Sequence, residues 1–255
     1  MYRQTVFTDL DGTLIFSAAR KRPGDIVCEY KDGAEISCVT ARQAELLPRL
    51  TGIIPVTTRS MEQYRRIRFP GGFCPEYALT DNGGMLLING EPDPEWAAHS
   101  LSLTRECEQE LSHCRRIMEQ DEHRSFEIRM VDGLFLFTKS DCPELSLERL
   151  KAEAPDTLSC FSTGQKLYVL PAGLCKGSAA KRLAQRLCAE RTICAGDSLM
   201  DIPLLDIADA AIFPEDIPAD MISAPEKLTA ARERFPEFVT EQLYRRISPY
   251  CNKTP

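Results

Sequence analysis

A chain of 255 residues, with 43% hydrophobic and 27% charged side chains, can bury a large core without staples and remain polar outside. Its formal net charge of -7 argues against a nucleic-acid partner, because domains that hold a phosphate backbone carry a basic excess. No apolar run approaches a membrane span and the first residues lack the apolar core of a secretion signal, so a cytoplasmic protein with no membrane partner is expected. The 11 cysteines are odd in number, none is spaced Cys-x-x-Cys, and only His99, His113 and His123 accompany them, which disfavours both a disulfide framework and zinc.

The chain opens on Val6-Phe7-Thr8, an apolar run that reads as a buried strand, and stops at Asp9-Leu10-Asp11-Gly12-Thr13-Leu14. In open α/β sheets ligands collect outside the carboxyl ends of the strands, so both carboxylates stand at the mouth of a site. They share a face unless the chain turns after Asp9, as Gly12 permits. Two carboxylates this close need positive charge to stay ionised, and a hard divalent cation such as Mg2+ is the natural source. Two short apolar runs around Asp32-Gly33 predict a hairpin over about 26–39, either a flap over the site or a plain edge hairpin.

Thr40 caps a predicted helix over 41–50, which Gly52 ends, and a strand over 53–56 terminates in Thr57-Thr58-Arg59-Ser60. Residues 61–68 read as helix, and Phe73 to Leu79 lead into the loop Thr80-Asp81-Asn82-Gly83-Gly84. The character then changes. A strand from Met85, a turn at Asn89-Gly90 and a long amphipathic stretch from Trp96 to about Asp121 come next. Phe126–Met130 and Leu134–Phe137 form a second hairpin around Val131-Asp132-Gly133, followed by a helix over 143–154 and a strand over 166–170. Alternating helix and strand resume with a helix from Lys176 to about Glu190, the strand Thr192–Ala195 ending in Gly196-Asp197-Ser198-Leu199-Met200-Asp201, a short strand over 210–213, and one or two helices after Pro225.

The pattern is α/β: a Rossmann-like three-layer core with a parallel sheet over 1–84 and 172–255, interrupted by an α+β insertion over 85–171. Asp9-Leu10-Asp11-Gly12-Thr13-Leu14 resembles the first motif, DxDGT, of the haloacid dehalogenase superfamily of phosphatases. Thr57 is similar to the Ser/Thr of its second motif, Lys176 to the Lys of its third, and Gly196-Asp197 through Asp201 to the GDxxxD of its fourth, all in the family's order. The resemblance implies a Mg2+-dependent phosphomonoesterase acting on a small phosphorylated metabolite such as a sugar phosphate.

It also implies roles. Asp9 attacks phosphorus and forms an aspartyl-phosphate, while Asp11 protonates the leaving oxygen and then activates water. Mg2+ is held by the Asp9 carboxylate, the Asp11 backbone carbonyl and the Asp197 carboxylate, with Asp201 behind them reaching toward the metal's waters or Lys176. Lys176 supplies charge to the phosphate and to Asp9; the Thr57 hydroxyl and the Thr58 N–H donate to phosphate oxygens. Arg59 is a substrate or phosphate contact, or a surface cation. Arg129, on the polar face of its strand, is a substrate contact or part of a solvated face.

Relatives commonly carry Thr-Gly-Arg where this chain has Thr57-Thr58-Arg59, and Asn where it has Met200. A large insertion between the second and third motifs resembles the cap of Cof-type phosphatases, and the Asn82-Gly83 loop is similar to the one preceding that cap, which makes Asn82 a further candidate substrate contact. A phosphomutase of the same fold is the alternative activity; a non-catalytic binding protein is disfavoured, because every expected catalytic position is filled. Oligomeric state and the particular phosphorylated substrate are open.

Overall fold

The structure, a computed structural model, describes residues 4–251. The extreme ends of the two predicted core segments, 1–3 and 252–255, lie outside the described residues. The chain divides into two compact units, Met1–Pro92 with Lys176–Pro255, and Asp93–Cys175.

The first unit begins with β1 (Gln4–Thr8), β2 (Phe16–Ser17), β3 (Ile26–Lys31) and β4 (Ala34–Val39), then α1 (Ala41–Leu46), β5 (Ile53–Pro55), α2 (Met61–Arg65), β6 (Tyr77–Thr80), β7 (Met85–Ile88) and β8 (Glu91–Pro92). The second unit comprises α3 (Pro94–Glu106), α4 (Glu108–Glu119), β9 (Arg129–Val131), β10 (Phe135–Lys139), α5 (Pro143–Glu153), β11 (Leu158–Thr163) and β12 (Lys166–Pro171). The first unit resumes with α6 (Lys176–Arg186), β13 (Arg191–Ala195), α7 (Ile202–Leu205), β14 (Ala210–Pro214), β15 (Glu226–Ala230) and α8 (Phe235–Cys251).

Five parallel strands form the central sheet in the order β15-β14-β13-β1-β5. Val6 lies opposite Ile193 on one side and Ile53 on the other, so β1 is paired along both edges and covered on both faces. That setting requires an unbroken apolar run, and Val6 and Phe7 are fully buried. Val6, Ile193 and Ile212 pack against Leu47, Val239 and Leu243, beneath α1 and α8. The chain leaves β1 toward β5 in one direction and continues from β13 to β15 in the other. The sheet therefore switches direction at β1, and the crevice beyond its carboxyl end is the expected ligand position.

The predicted hairpin is present as β3 and β4, with Lys31 opposite Ala34. Asp32 and Gly33 both have positive φ, the signature of a type I′ turn. A register shift between Val27 and Glu29 leaves Cys28 unpaired, and Cys28 and Glu29 are consecutively buried. This bulge breaks the alternation and turns a carboxylate inward.

Several elements differ from the sequence expectation: β9 covers Arg129–Val131 rather than 126–130, β11 is a strand the sequence reading did not contain, and two further cases show the physical cause. The segment after Pro225 begins as β15 rather than helix: Ala210 to Pro214 of β14 pair residue by residue with Glu226 to Ala230, and that long-range ladder overrides the helix propensity of Glu, Lys, Leu and Ala. The stretch from Trp96 is two helices, broken at Cys107, whose φ of -112° and ψ of 20° lie outside the helical region.

In the second unit an antiparallel sheet, β11-β12-β10-β9, buries Leu136, Leu167 and Val169 against Leu111, Cys114 and Ile117 of α4. Alternation places Phe137, Phe161 and Tyr168 on the opposite face. There the Tyr168 ring lies 5.0 Å from Phe161 and 5.4 Å from Phe137, and Phe137 lies 6.0 Å from Phe126.

Candidate active site

After β1 the backbone turns at once. The Leu10 carbonyl accepts from the N–H groups of Thr13, Leu14 and Ile15, which leaves Asp9 buried at the strand end and sends Asp11 outward, its side chain 51% exposed. Gly12 has φ +83°, and a Cβ there would lie 2.2 Å from Asp197 Oδ2. A side chain at 12 is thus excluded twice, by conformation and by the carboxylate beside it.

The loop after β13 is as tightly constrained. Asp201 is fully buried; its Oδ2 accepts from the backbone N–H of Asp197 (3.2 Å) and Ser198 (3.0 Å) and from the Ser198 hydroxyl (2.8 Å). A Cβ on Gly196 would lie 2.3 Å from the Asp201 Cβ, and one on Gly177 would lie 2.0 Å from the Pro203 carbonyl oxygen. These contacts bring the first turn of α6 against the loop and set Lys176 between two acids. Its Nζ donates to Asp9 Oδ1 at 2.5 Å and to Asp201 Oδ1 at 2.6 Å.

Carboxylate oxygens of Asp9, Asp197 and Asp201 all lie within 4.8 Å of one another. Three acids share one buried lysine, and Arg232, at 3.2 Å from Asp197 Oδ2, is the further cation at hand. The electrostatic consequence is one-sided. Burial, opposed by Lys176 and reinforced by Asp201 and Asp197, holds the Asp9 carboxyl well above the usual carboxylate range. Burial and the Asp201 charge push Asp197 up to about 6. Burial works against the Lys176 ammonium too, but Asp201 and Asp9 outweigh it and hold its pKa above the ordinary lysine range.

Asp11 is gripped by Arg59, whose Nε and Nη2 donate to its two oxygens at 2.7 Å each. The same guanidinium donates through Nη1 to Glu29 at 2.7 Å and through Nη2 to the Ser37 hydroxyl at 3.1 Å. Ser37 donates to Glu29 in turn, and Arg66 donates to the other Glu29 oxygen at 3.2 Å. Burial disfavours the Arg59 charge, but Asp11 and Glu29 reverse the balance and raise its pKa. Arg59 is therefore neither a surface cation nor an open contact: it joins Asp11 to the hairpin.

Thr57 is buried at the end of β5, and its hydroxyl accepts from the Arg59 N–H at 3.1 Å. Thr58 follows it, partly exposed. The Asn82 N–H donates to the Thr57 carbonyl and the Asp81 N–H to the Arg59 carbonyl, so the loop after β6 splints this turn. Asp81 and Asn82 both hold positive φ, a strained pair that the splint maintains. Asp9, Asp11, Thr57, Arg59, Lys176, Asp197, Asp201 and Asn82 are thus gathered at one end of the first unit. Arg129 belongs to the second unit, where Glu127 pairs with its guanidinium and the Phe126 ring lies 4.8 Å beneath it.

A family model, sucrose-6F-phosphate phosphohydrolase, matches residues 2–213. The chain belongs to that family. This places it among the haloacid dehalogenase-type phosphatases, whose fold it shares. The sucrose-phosphatase of Synechocystis sp. PCC6803, solved with sucrose and phosphate, is similar at 20% identity and a TM-score of 0.65, covering 94% of this chain and 98% of that one. The C-terminal domain of the C. albicans trehalose-6-phosphate phosphatase is similar at 15% identity and a TM-score of 0.61, covering 96% and 93%. A trehalose-6-phosphate phosphatase related protein is similar at 17% identity and a TM-score of 0.57, covering 96% and 99%. No curated protein matches the sequence.

Sucrose-phosphatase family membership accounts for the donor set. The cluster of Asp9, Asp197 and Asp201 offers oxygen only, and its carboxylates outnumber the cations beside them, which fits a hard divalent ion. Asp9 and Asp201 both accept from Lys176, and Asp197 accepts from Arg232, so each carboxylate of the cluster has one cation beside it. Sequence reading missed Glu29, Ser37, Arg66 and Arg232. Glu29 carries no signal, because only the bulge turns it inward. Among the described residues no helix is long and apolar enough to cross a membrane.

Proposed function

We propose that this protein hydrolyses a sugar phosphate monoester through an aspartyl-phosphate formed on Asp9. The observation that carries the reading is the buried Asp9 at the switch point of the sheet, sharing Lys176 with Asp201 and lying beside Asp197. Asp9, the Asp11 backbone carbonyl and Asp197 are proposed to hold Mg2+. When bound, the ion supplies the positive charge that keeps Asp9 ionised and draws charge off the phosphoryl oxygens.

An Asp9 carboxylate oxygen attacks phosphorus, and the bond to the sugar oxygen breaks. Asp11 gives its proton to that oxygen and later takes one from the water that splits the acyl phosphate, releasing inorganic phosphate and restoring Asp9. Arg59 holds Asp11 at the mouth of the site through both carboxylate oxygens, and one of those bonds opens to free the oxygen that carries the proton, while Glu29 holds Arg59. Lys176 balances charge on the transferring group, and the Thr57 hydroxyl and Thr58 N–H donate to its oxygens.

The α+β unit, Asp93–Cys175, is read as the unit that selects the sugar. Its row of Phe126, Phe137, Tyr168 and Phe161 offers the flat apolar faces on which a pyranose or furanose ring stacks. Sucrose 6F-phosphate is the first compound to try, with trehalose 6-phosphate beside it, because proteins similar to this one carry those names. The test is phosphate release from both, with Mg2+ and with EDTA, from wild type and Asp9→Asn. Metal-dependent release that vanishes in the variant supports the reading. A metal-independent rate shared by the variant contradicts it.

A further inference from the structure

A cavity of about 680 Å³ opens in the first unit, and five arginines line it: Arg20, Arg22, Arg42, Arg232 and Arg234. That volume falls in the range of small-molecule sites. The concentration of positive charge is unexpected in a chain of net charge -7. Three acids share the wall, Asp25, Glu233 and Glu237, so the lining still carries an excess of cations.

The arginines are not equivalent. Arg42 is paired with Glu45 and Glu241, and Arg232 with Asp216 and Asp197. Among the described residues no carboxylate pairs with the guanidinium of Arg20, Arg22 or Arg234. Asp25 accepts from the Arg22 backbone N–H and Glu237 from the Thr40 hydroxyl, neutral donors that fix where these carboxylates point and leave their charge in place. Pro236 and Glu237, in the first turn of the 17-residue α8, also line the cavity, which turns the positive pole of that helix toward it. Phe16 and Pro23 add apolar surface.

Guanidinium forks without a carboxylate partner match the oxygens of phosphate groups, and bonds to such charged oxygens are roughly twice as strong as bonds to neutral ones. We propose that this cavity is a binding site for a small organic phosphate carrying two or more negative charges, separate from the Asp9 centre. Arg232 joins the two, since it lines the cavity and also donates to Asp197 and Asp216. An anion in the cavity competes with both carboxylates for that guanidinium, which gives the site a route to influence the catalytic centre.

The probe is methylenediphosphonate, whose P–C–P link resists hydrolysis, titrated calorimetrically into the full chain in EDTA. Three proteins are compared: wild type, the double variant R22Q/R234Q, and Asp9→Asn. Both arginines of the double variant are exposed, so folding is preserved. Wild type and Asp9→Asn are expected to bind one equivalent with Kd of about 1 mM or tighter, and the double variant at least about tenfold more weakly. Phosphate release by the double variant without the probe is expected to equal wild type. The site is overturned if no saturable heat appears, if the double variant binds equally well, if Asp9→Asn loses binding, or if the double variant loses its basal rate. The three binding outcomes read no turnover, so they stand whether or not the phosphatase reading does.

Discussion

Asp9 and Asp11 are separated by one residue, and the opposite roles proposed for them rest on different surroundings. Asp9 is sealed against Lys176; Asp11 is half exposed and held from outside by Arg59. Asp9→Asn removes the nucleophile and is expected to lower kcat by at least about 10³-fold with the fold intact by circular dichroism. Arg59→Ala leaves the nucleophile in place but releases Asp11. An aryl phosphate, whose leaving group needs little protonation, should then lose much less rate than an alkyl sugar phosphate, for which a loss of about 10²–10⁴-fold is expected. Equal losses on the two substrates would mean that Arg59 acts on the phosphate rather than through Asp11. Glu29→Gln removes one of the two carboxylates on Arg59 and the buried one on Arg66, and a loss of about 1–3 kcal/mol is expected, readable in urea unfolding.

At the scale of elements, the parts legible in the sequence were those whose signal is local. The Val6–Asp11 run, the Asp32-Gly33 turn and the strand that ends at Gly196-Asp197 each announce themselves through an apolar run or a turn residue. β15 did not, because its evidence is the pairing with β14 rather than anything in Glu226-Lys227-Leu228-Thr229-Ala230. The bulge at Cys28 was equally hidden, and with it the role of Glu29. Gly12 was legible as a turn residue, but its closeness to Asp197 was not. Gly12→Ala is therefore expected to do more than strain the backbone. It should displace the Asp197 carboxylate and weaken Mg2+ binding at least about tenfold by calorimetry, a 1.4 kcal/mol effect, while the sheet stays folded. Unchanged Mg2+ affinity would remove Asp197 from the proposed ligand set.

For the whole molecule, the crowding of acids makes stability depend on pH and metal together. Asp197 titrates near 6 when folded against an ordinary value of 3.8, so the folded state holds its proton where the unfolded state has lost it. Metal-free stability should therefore fall as pH rises from about 4 to about 6, and Asp197→Asn should recover at most about 3 kcal/mol of it at pH 7. Mg2+ should reverse the ranking, stabilising wild type more than the variant. The family gives the class of chemistry, and the proposal that the aromatic face of the second unit chooses the sugar is tested by a single substitution. Phe137→Ala should raise KM for a sugar phosphate by about tenfold and leave an aryl phosphate nearly unaffected. The measurement that reaches the centre of the account is chemical trapping of the intermediate. Wild-type protein is mixed with substrate and Mg2+, quenched in acid within one turnover, reduced with borohydride and digested. An acyl phosphate on Asp9 is reduced to homoserine, so homoserine at position 9, absent without substrate and chased away as turnover completes, is the predicted result. Steady phosphate release with aspartate intact at position 9 at every time point would contradict it.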